Sequence, residues 1–274
     1  MTALPLTRAI PGVSRTLPLR LLGNETGKGL TLLRRRWLML VMAAVSNGIN
    51  YALFEFLIGG GHYPRALIAA TLPALLAAAV AMNAAVAGSG GIAEEINGGT
   101  LEQSHLGPAR TALLAAGRLG ALVAEGLLVA ALLAAVLIPV FRPHWQVRPD
   151  ALVPAVLIIA DAAGYALMIT GLTVNIASIG AITHVFNMAI MFFGGMFFPI
   201  AIFPQGVLVV ARLMPTALGV QVLNDTLAGR GLSAAWADGT LPWLLVHVAV
   251  LTALAWAVYL QGIRRGMREG RLSR

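Results

Sequence analysis

The side chains able to do chemistry are few and scattered. Five histidines, His62, His105, His144, His184 and His247, show neither i, i+4 pairing nor a carboxylate cluster at ligand spacing, so no metal site is expected. The chain has no Cys, which excludes disulfides, thiolate metal sites and cysteine nucleophiles. There is no nucleophile elbow and no zinc-protease helix. The stretch Gly23-Asn24-Glu25-Thr26-Gly27-Lys28-Gly29 imitates a phosphate-binding loop around the only Lys. It places three residues between its first two glycines where the motif needs four, and Gly where the motif needs Ser or Thr. No catalytic residue is expected in this chain.

What remains is a polar island, GIAEEINGGTLEQSHLGP, running from Gly91 to Pro108 between long runs of Ala, Leu and Val. It reads as a short acidic helix carrying Glu94 and Glu95, then a Gly98-Gly99 break. Thr100 follows, capping a second turn with Leu101, Glu102, His105 and Leu106, before Gly107-Pro108 stops it. A compact polar knob over 92–107 suits docking into a groove on a partner protein. The plainer alternative is a solvated loop.

The solvent of the flanking runs decides where the island lies. The chain is 58% hydrophobic and 11% charged, with a mean hydropathy of +0.83. Soluble domains are about 45–50% apolar and roughly a quarter charged, so the bilayer must be part of the solvent here. The net charge of +8 sits mainly at the two ends, which points to membrane orientation and away from nucleic acid. A spanning helix needs about 20 apolar residues. Spans are expected at 37–58, 66–90, 109–140, 151–176 and 241–262, with a sixth at 181–199 in a region broken by Gly194, Gly195, Pro199, Pro204 and Pro215.

The cytoplasmic side collects Lys and Arg. Residues 1–36 hold Arg8, Arg15, Arg20, Lys28 and Arg34-Arg35-Arg36. The tail 263–274 holds Arg264, Arg265, Arg268, Arg271 and Arg274. Both ends are therefore expected inside, so full crossings must be even in number. Residues 200–214 then dip in and return as a re-entrant segment, which survives at membrane depth only when buried or facing a wet cavity. The fold class expected is an all-α integral membrane protein of six spans, with a re-entrant hairpin between spans five and six. No signal peptide is evident, and 17–33 reads as an amphipathic elbow weakened by Gly23, Gly27 and Gly29. The connection 177–180 reads as a tight inner turn, and 217–240 as a longer outer loop.

With the N-terminus inside, the island is the largest cytoplasmic connection. Its Glu94-Glu95, Gly99-Thr100-Leu101-Glu102 and Pro108 pattern resembles the first coupling helix of type-2 ATP-binding-cassette exporter permeases. A second match, Phe192-Phe193-Gly194-Gly195-Met196-Phe197-Phe198-Pro199 followed by Pro204 and Leu213-Met214-Pro215-Thr216, is similar to that family's re-entrant hairpin. Many relatives carry Arg where this chain has Asn224 or Asp225, so no role of that Arg is carried over. The resemblance implies a permease half in a bacterial cytoplasmic membrane. Two copies, or two related chains, would pair among the lipids above two ATPase subunits that hold ATP and Mg²⁺. Residues Glu94, Glu95, Gly99, Thr100, Leu101, Glu102, His105 and Leu106 would couple to those subunits, and Gly194, Gly195, Phe197, Phe198, Pro199 and Pro204 would form the gate.

Ionisable groups at membrane depth usually face a bundle interior or a cavity. Asn47, Tyr51 and Glu55 form one stripe with Asn50 beside it, and His184, Asn187 and Met191 form another. The resemblance places both stripes along a translocation path; interhelical glue is the competing reading. For Glu125 and Asp161, glue or a protonated buried acid is the expectation. Drugs, lipids, glycans and peptides all remain open as cargo. A self-sufficient ion-gradient carrier or channel, or a membrane scaffold, would not need the docking knob.

Overall fold

The computed structural model describes residues 17–101, 111–176 and 179–270. Expectations for Glu102, His105, Leu106, the turn at 177–178 and the outermost residues of both termini fall outside that range. The elements are α1 (Leu17–Arg35), α2 (Trp37–Ile58), α3 (Arg65–Asn97), α4 (Thr111–Phe141), α5 (Leu152–Thr173), α6 (Ile179–Phe193), α7 (Gln205–Leu213), α8 (Ala217–Leu227), α9 (Gly231–Ala237) and α10 (Thr240–Arg268). Short 3₁₀ turns at Pro149–Ala151 and Ile200–Ile202 precede α5 and α7. Among the described residues, five helices are long and apolar enough to cross a membrane: α2, α3, α4, α5 with its leading turn, and α10.

α3, α5 and α10 run one way, and α2 and α4 run the other. The start of α2 and the end of α10 therefore lie at one end of the bundle, the basic end, where Arg36 meets Glu94 and Ile263 packs near Ile92. The broken hairpin lies at the opposite end. α3 is the central column: 61% of its most apolar stretch is buried, against 17% for α2 and for α10. Small residues let backbones close up where side-chain hydrophobicity gives no drive between helices. A Cβ at Gly126 of α4 would stand 2.5 Å from the Val80 carbonyl oxygen, and one at Gly171 of α5 would stand 2.5 Å from the Tyr259 Cα.

Four boundaries differ from the sequence expectation, each for a physical reason. The island does not begin a separate helix at 92; α3 runs unbroken for 33 residues and takes Glu94 and Glu95 as its last turn. Gly88-Ser89-Gly90-Gly91 stays helical because Gly88 packs tightly on Thr170 and the Ser89 hydroxyl donates to the Val86 carbonyl at 3.1 Å. α6 is 15 residues long and stops at Gly194, well short of 199, because Gly195 turns the chain at φ +92°. Residues 217–240, expected as an outer loop, form α8 and α9, and α8 is buried along Leu218, Val220 and Val222. The hairpin therefore has α7 and α8 as its arms, bent by 104°. α1 is one continuous helix despite its glycines: Gly29 packs against Ala121, and the Thr26 hydroxyl donates to the Gly117 carbonyl at 3.2 Å.

Candidate functional site

The basic end is a clamp of charges. Arg36, between α1 and α2, donates from one guanidinium nitrogen to both oxygens of Glu94, at 2.8 and 2.6 Å. Glu95 accepts from Arg118 of α4 at 2.5 Å, and Lys28 of α1 stands 3.9 Å from its other oxygen. The end of α3 is thus tied to α1, α2 and α4 together. The Glu94 pair is open to water, its carboxylate side chain 64% exposed; the Glu95 pair is largely enclosed, about 20% exposed on both sides. Exposed pairs contribute about 0–1 kcal/mol, whereas hydrogen bonds to a charged group contribute about 1.5–3. Behind the clamp lies a cavity of ≈ 450 Å³ between α1, α3 and α4, lined by Lys28, Arg36, Gly91, Glu95, Arg118 and Glu125.

A docking knob needs its side chains outward, and the structure divides the expected set. Glu95 and Leu101 turn inward; Leu101 is fully buried with Ile92, Ala115 and Leu167. Glu94 and Thr100 are exposed, together with Asn97 and Gly98, while Gly99 supplies the turn at φ +65°. Among the described residues, this end exposes the corner around Gly98-Gly99, with Glu95 bracing it from inside and Glu94 on its surface.

The two polar stripes divide in the same way. On α2, Asn50 is exposed and Asn47 half-buried, but Tyr51 and Glu55 are buried inside the bundle. The Tyr51 hydroxyl is 2.8 Å from the Thr71 hydroxyl of α3, and Glu55 is buried beside that pair. On α6, His184 is exposed and Met191 half-buried, while Asn187 is buried and accepts from the Tyr165 hydroxyl of α5 at 2.8 Å. Tyr51 and Asn187 therefore join helices within this chain, whereas Asn50 and His184 share outward apolar faces with Ile49, Leu53, Val185 and Met188.

At the hairpin end, Gly194 and Gly195 are buried. Phe197 is also buried and packs its ring on Phe54 at 4.1 Å and Phe192 at 5.3 Å. Phe198 and Pro199 are half-buried; Pro204 is exposed and opens α7. Asn224 of α8 donates to the Ala70 carbonyl at 2.7 Å, which ties the hairpin to α3.

The corner between α7 and α8 rests on groups that the sequence did not tie to the hairpin. Thr216 stands at φ +72°, and its backbone N–H donates to Asp161 Oδ2 of α5 at 2.6 Å. Asp161 is fully buried, and His247 Nδ1 of α10 is 3.1 Å from its other oxygen. His247 Nε2 faces the Leu213 carbonyl at 3.3 Å. The isolated acid in an apolar run was the legible signal; nothing in the sequence joined it to His247 or Thr216, or Arg36 and Arg118 to the island.

A bundle of apolar helices that ends in a buried, bent hairpin and is braced by charges at its other end defines a multi-pass membrane protein. The family model for the ABC-2 type transporter matches residues 26–227, and the chain belongs to that family. It is a transmembrane permease subunit of an ABC transporter, a type that works with an ATP-binding subunit. No curated protein matches the chain.

Proposed function

We propose that this chain is the transport half of an ATP-driven exporter. Two copies pair through the outward faces of α2 and α6, and two ATPase subunits bind beneath the basic end on the cytoplasmic side of a bacterial inner membrane. ATP and Mg²⁺ belong to those subunits. Their closure moves the Gly98-Gly99 corner, and the cargo, an amphipathic, drug-like, lipid or glycan molecule, leaves by alternating access along the seam between the copies.

The observation that carries this reading is the length of α3. Its 33 residues span roughly 50 Å, against about 30 Å of hydrocarbon core. One continuous helix thus links the exposed corner to the hairpin end, where Ala70 and Ala74 of α3 meet Asn224 and Gly195. A push on its projecting end is carried along that helix to the hairpin, where Pro73 interrupts the backbone hydrogen bonding between the two contacts.

The test avoids the bracing carboxylates. Asn97→Lys with Thr100→Lys places two cations on the exposed corner while leaving Glu94 and Glu95 intact. The expected result is loss of the copurifying ATPase subunit, with the permease itself still monodisperse. Retention of that subunit, with cargo-stimulated ATP hydrolysis intact, would overturn the reading.

A further inference from the structure

We infer that the cavity behind the charged clamp binds an ammonium group carried on an apolar body, with Glu125 as its counter-charge. Glu125 lies two turns beyond Arg118 on α4, about 10 Å further along the helix, and lines the same ≈ 450 Å³ cavity. An acid at that depth is costly and rarely stands without a partner. Its type and place suggested glue between helices, yet among the described residues Glu125 enters no hydrogen bond and no ion pair. The cation that acts on it is Arg36, whose guanidinium is already engaged with both oxygens of Glu94.

The other cations of the cavity are committed in the same way: Arg118 and Lys28 share Glu95. Its walls hold four carboxylates, Glu25, Glu94, Glu95 and Glu125, against three cations. A positive guest evens that balance, whereas an anion would worsen it. The guest needs an apolar part as well, because Leu32, Leu33 and Leu122 face the same space.

There is room for it on the α3 side. A Cβ at Gly91 would meet nothing within 4 Å, so this helical position leaves the cavity open. The volume falls within the roughly 300–1,000 Å³ of small-molecule sites. Water reaches the mouth past Lys28 and Glu94, whose side chains are more than half exposed. Two sources carry this chemistry: a water-borne amphipathic amine, and the ethanolamine headgroup of a bilayer phospholipid.

The site belongs to one chain and stands whether or not the exporter reading holds. The probe is dansylcadaverine, a primary amine on a fluorescent apolar body, titrated at pH 7 into purified protein in maltoside micelles, with empty micelles as blank. Its N-acetyl derivative keeps the body and lacks the charge. Losing one charged contact corresponds to roughly tenfold in affinity. Wild type should therefore bind the amine about tenfold tighter than the acetyl form. Glu125→Gln should bind both alike at the weaker level, and Gly91→Leu, which fills the space, should bind neither. Equal affinity of wild type for the two probes, or wild-type affinity in Gly91→Leu, would overturn the inference. The two probes on wild type decide by themselves if Glu125→Gln does not fold. Phosphatidylethanolamine and phosphatidylglycerol are then added in turn. Displacement of the probe by the first alone assigns the site to lipid, displacement by neither assigns it to a water-borne amine, and displacement by both alike would overturn it.

Discussion

The two ends of the bundle both use carboxylates, and they use them in opposite ways. At the basic end Glu94 and Glu95 meet full cations, the first pair open to water and the second largely enclosed. At the hairpin end Asp161 is fully buried, accepts from a backbone N–H and lies 3.1 Å from an imidazole nitrogen. Screened pairs adjust cheaply when helices shift; a buried carboxyl with two fixed partners specifies one shape. The open pair leaves its end of the bundle adjustable, and the buried carboxyl holds the other end in one shape.

Mutation should expose that asymmetry in order of burial. Asp161→Ala leaves the Thr216 N–H without its acceptor and the His247 ring without its neighbouring carboxylate, and should destabilise the fold by about 3–5 kcal/mol, seen as a lower melting temperature in detergent. Arg118→Ala should follow at about 1.5–3 kcal/mol, with little change when salt is raised to roughly 0.5 M, since enclosed pairs are weakly screened. Asp238→Ala should remove about 1 kcal/mol from the start of α10. Hydrogen bonds from Thr240 hold the Asp238 carboxyl below its usual range. Its contribution is therefore complete at neutral pH and disappears only as acid carries the solution down through that lowered value; melts of wild type and variant should converge there. Arg36→Ala should be the smallest, below about 1 kcal/mol and abolished by the same salt. If Arg36→Ala outweighed Arg118→Ala, the contrast between open and enclosed pairs would fail.

Much of this architecture was legible in the sequence, because length and apolarity alone identify helices that must satisfy their backbones in lipid. Five long spans and the interruption at Gly194-Gly195 were readable for that reason. The continuation of α3 through Gly88 to Gly91 was not, since what keeps it helical is Thr170, on another helix and far along the chain. α8 was hidden among residues that looked like a loop, although Leu218, Val220 and Val222 bury into two core clusters, Val220 into one and the other two into the second. The stripe of Asn47, Tyr51 and Glu55 was sound as helix geometry, but periodicity cannot say whether a face meets a partner, a path or a sister helix. Tyr51 and Glu55 meet a sister helix, α3.

The seat of α1 carries a consequence for how the chain is made. Its contacts, Thr26 on Gly117 and Gly29 on Ala121, belong to a helix synthesised some 90 residues later. Translation proceeds at about 5–20 residues per second, so the first helix must wait several seconds, greasy side unclaimed, before its berth exists. During that interval the ribosome-bound nascent chain is the form most open to chaperones and quality-control proteases, and shortening the wait is a route to better yield.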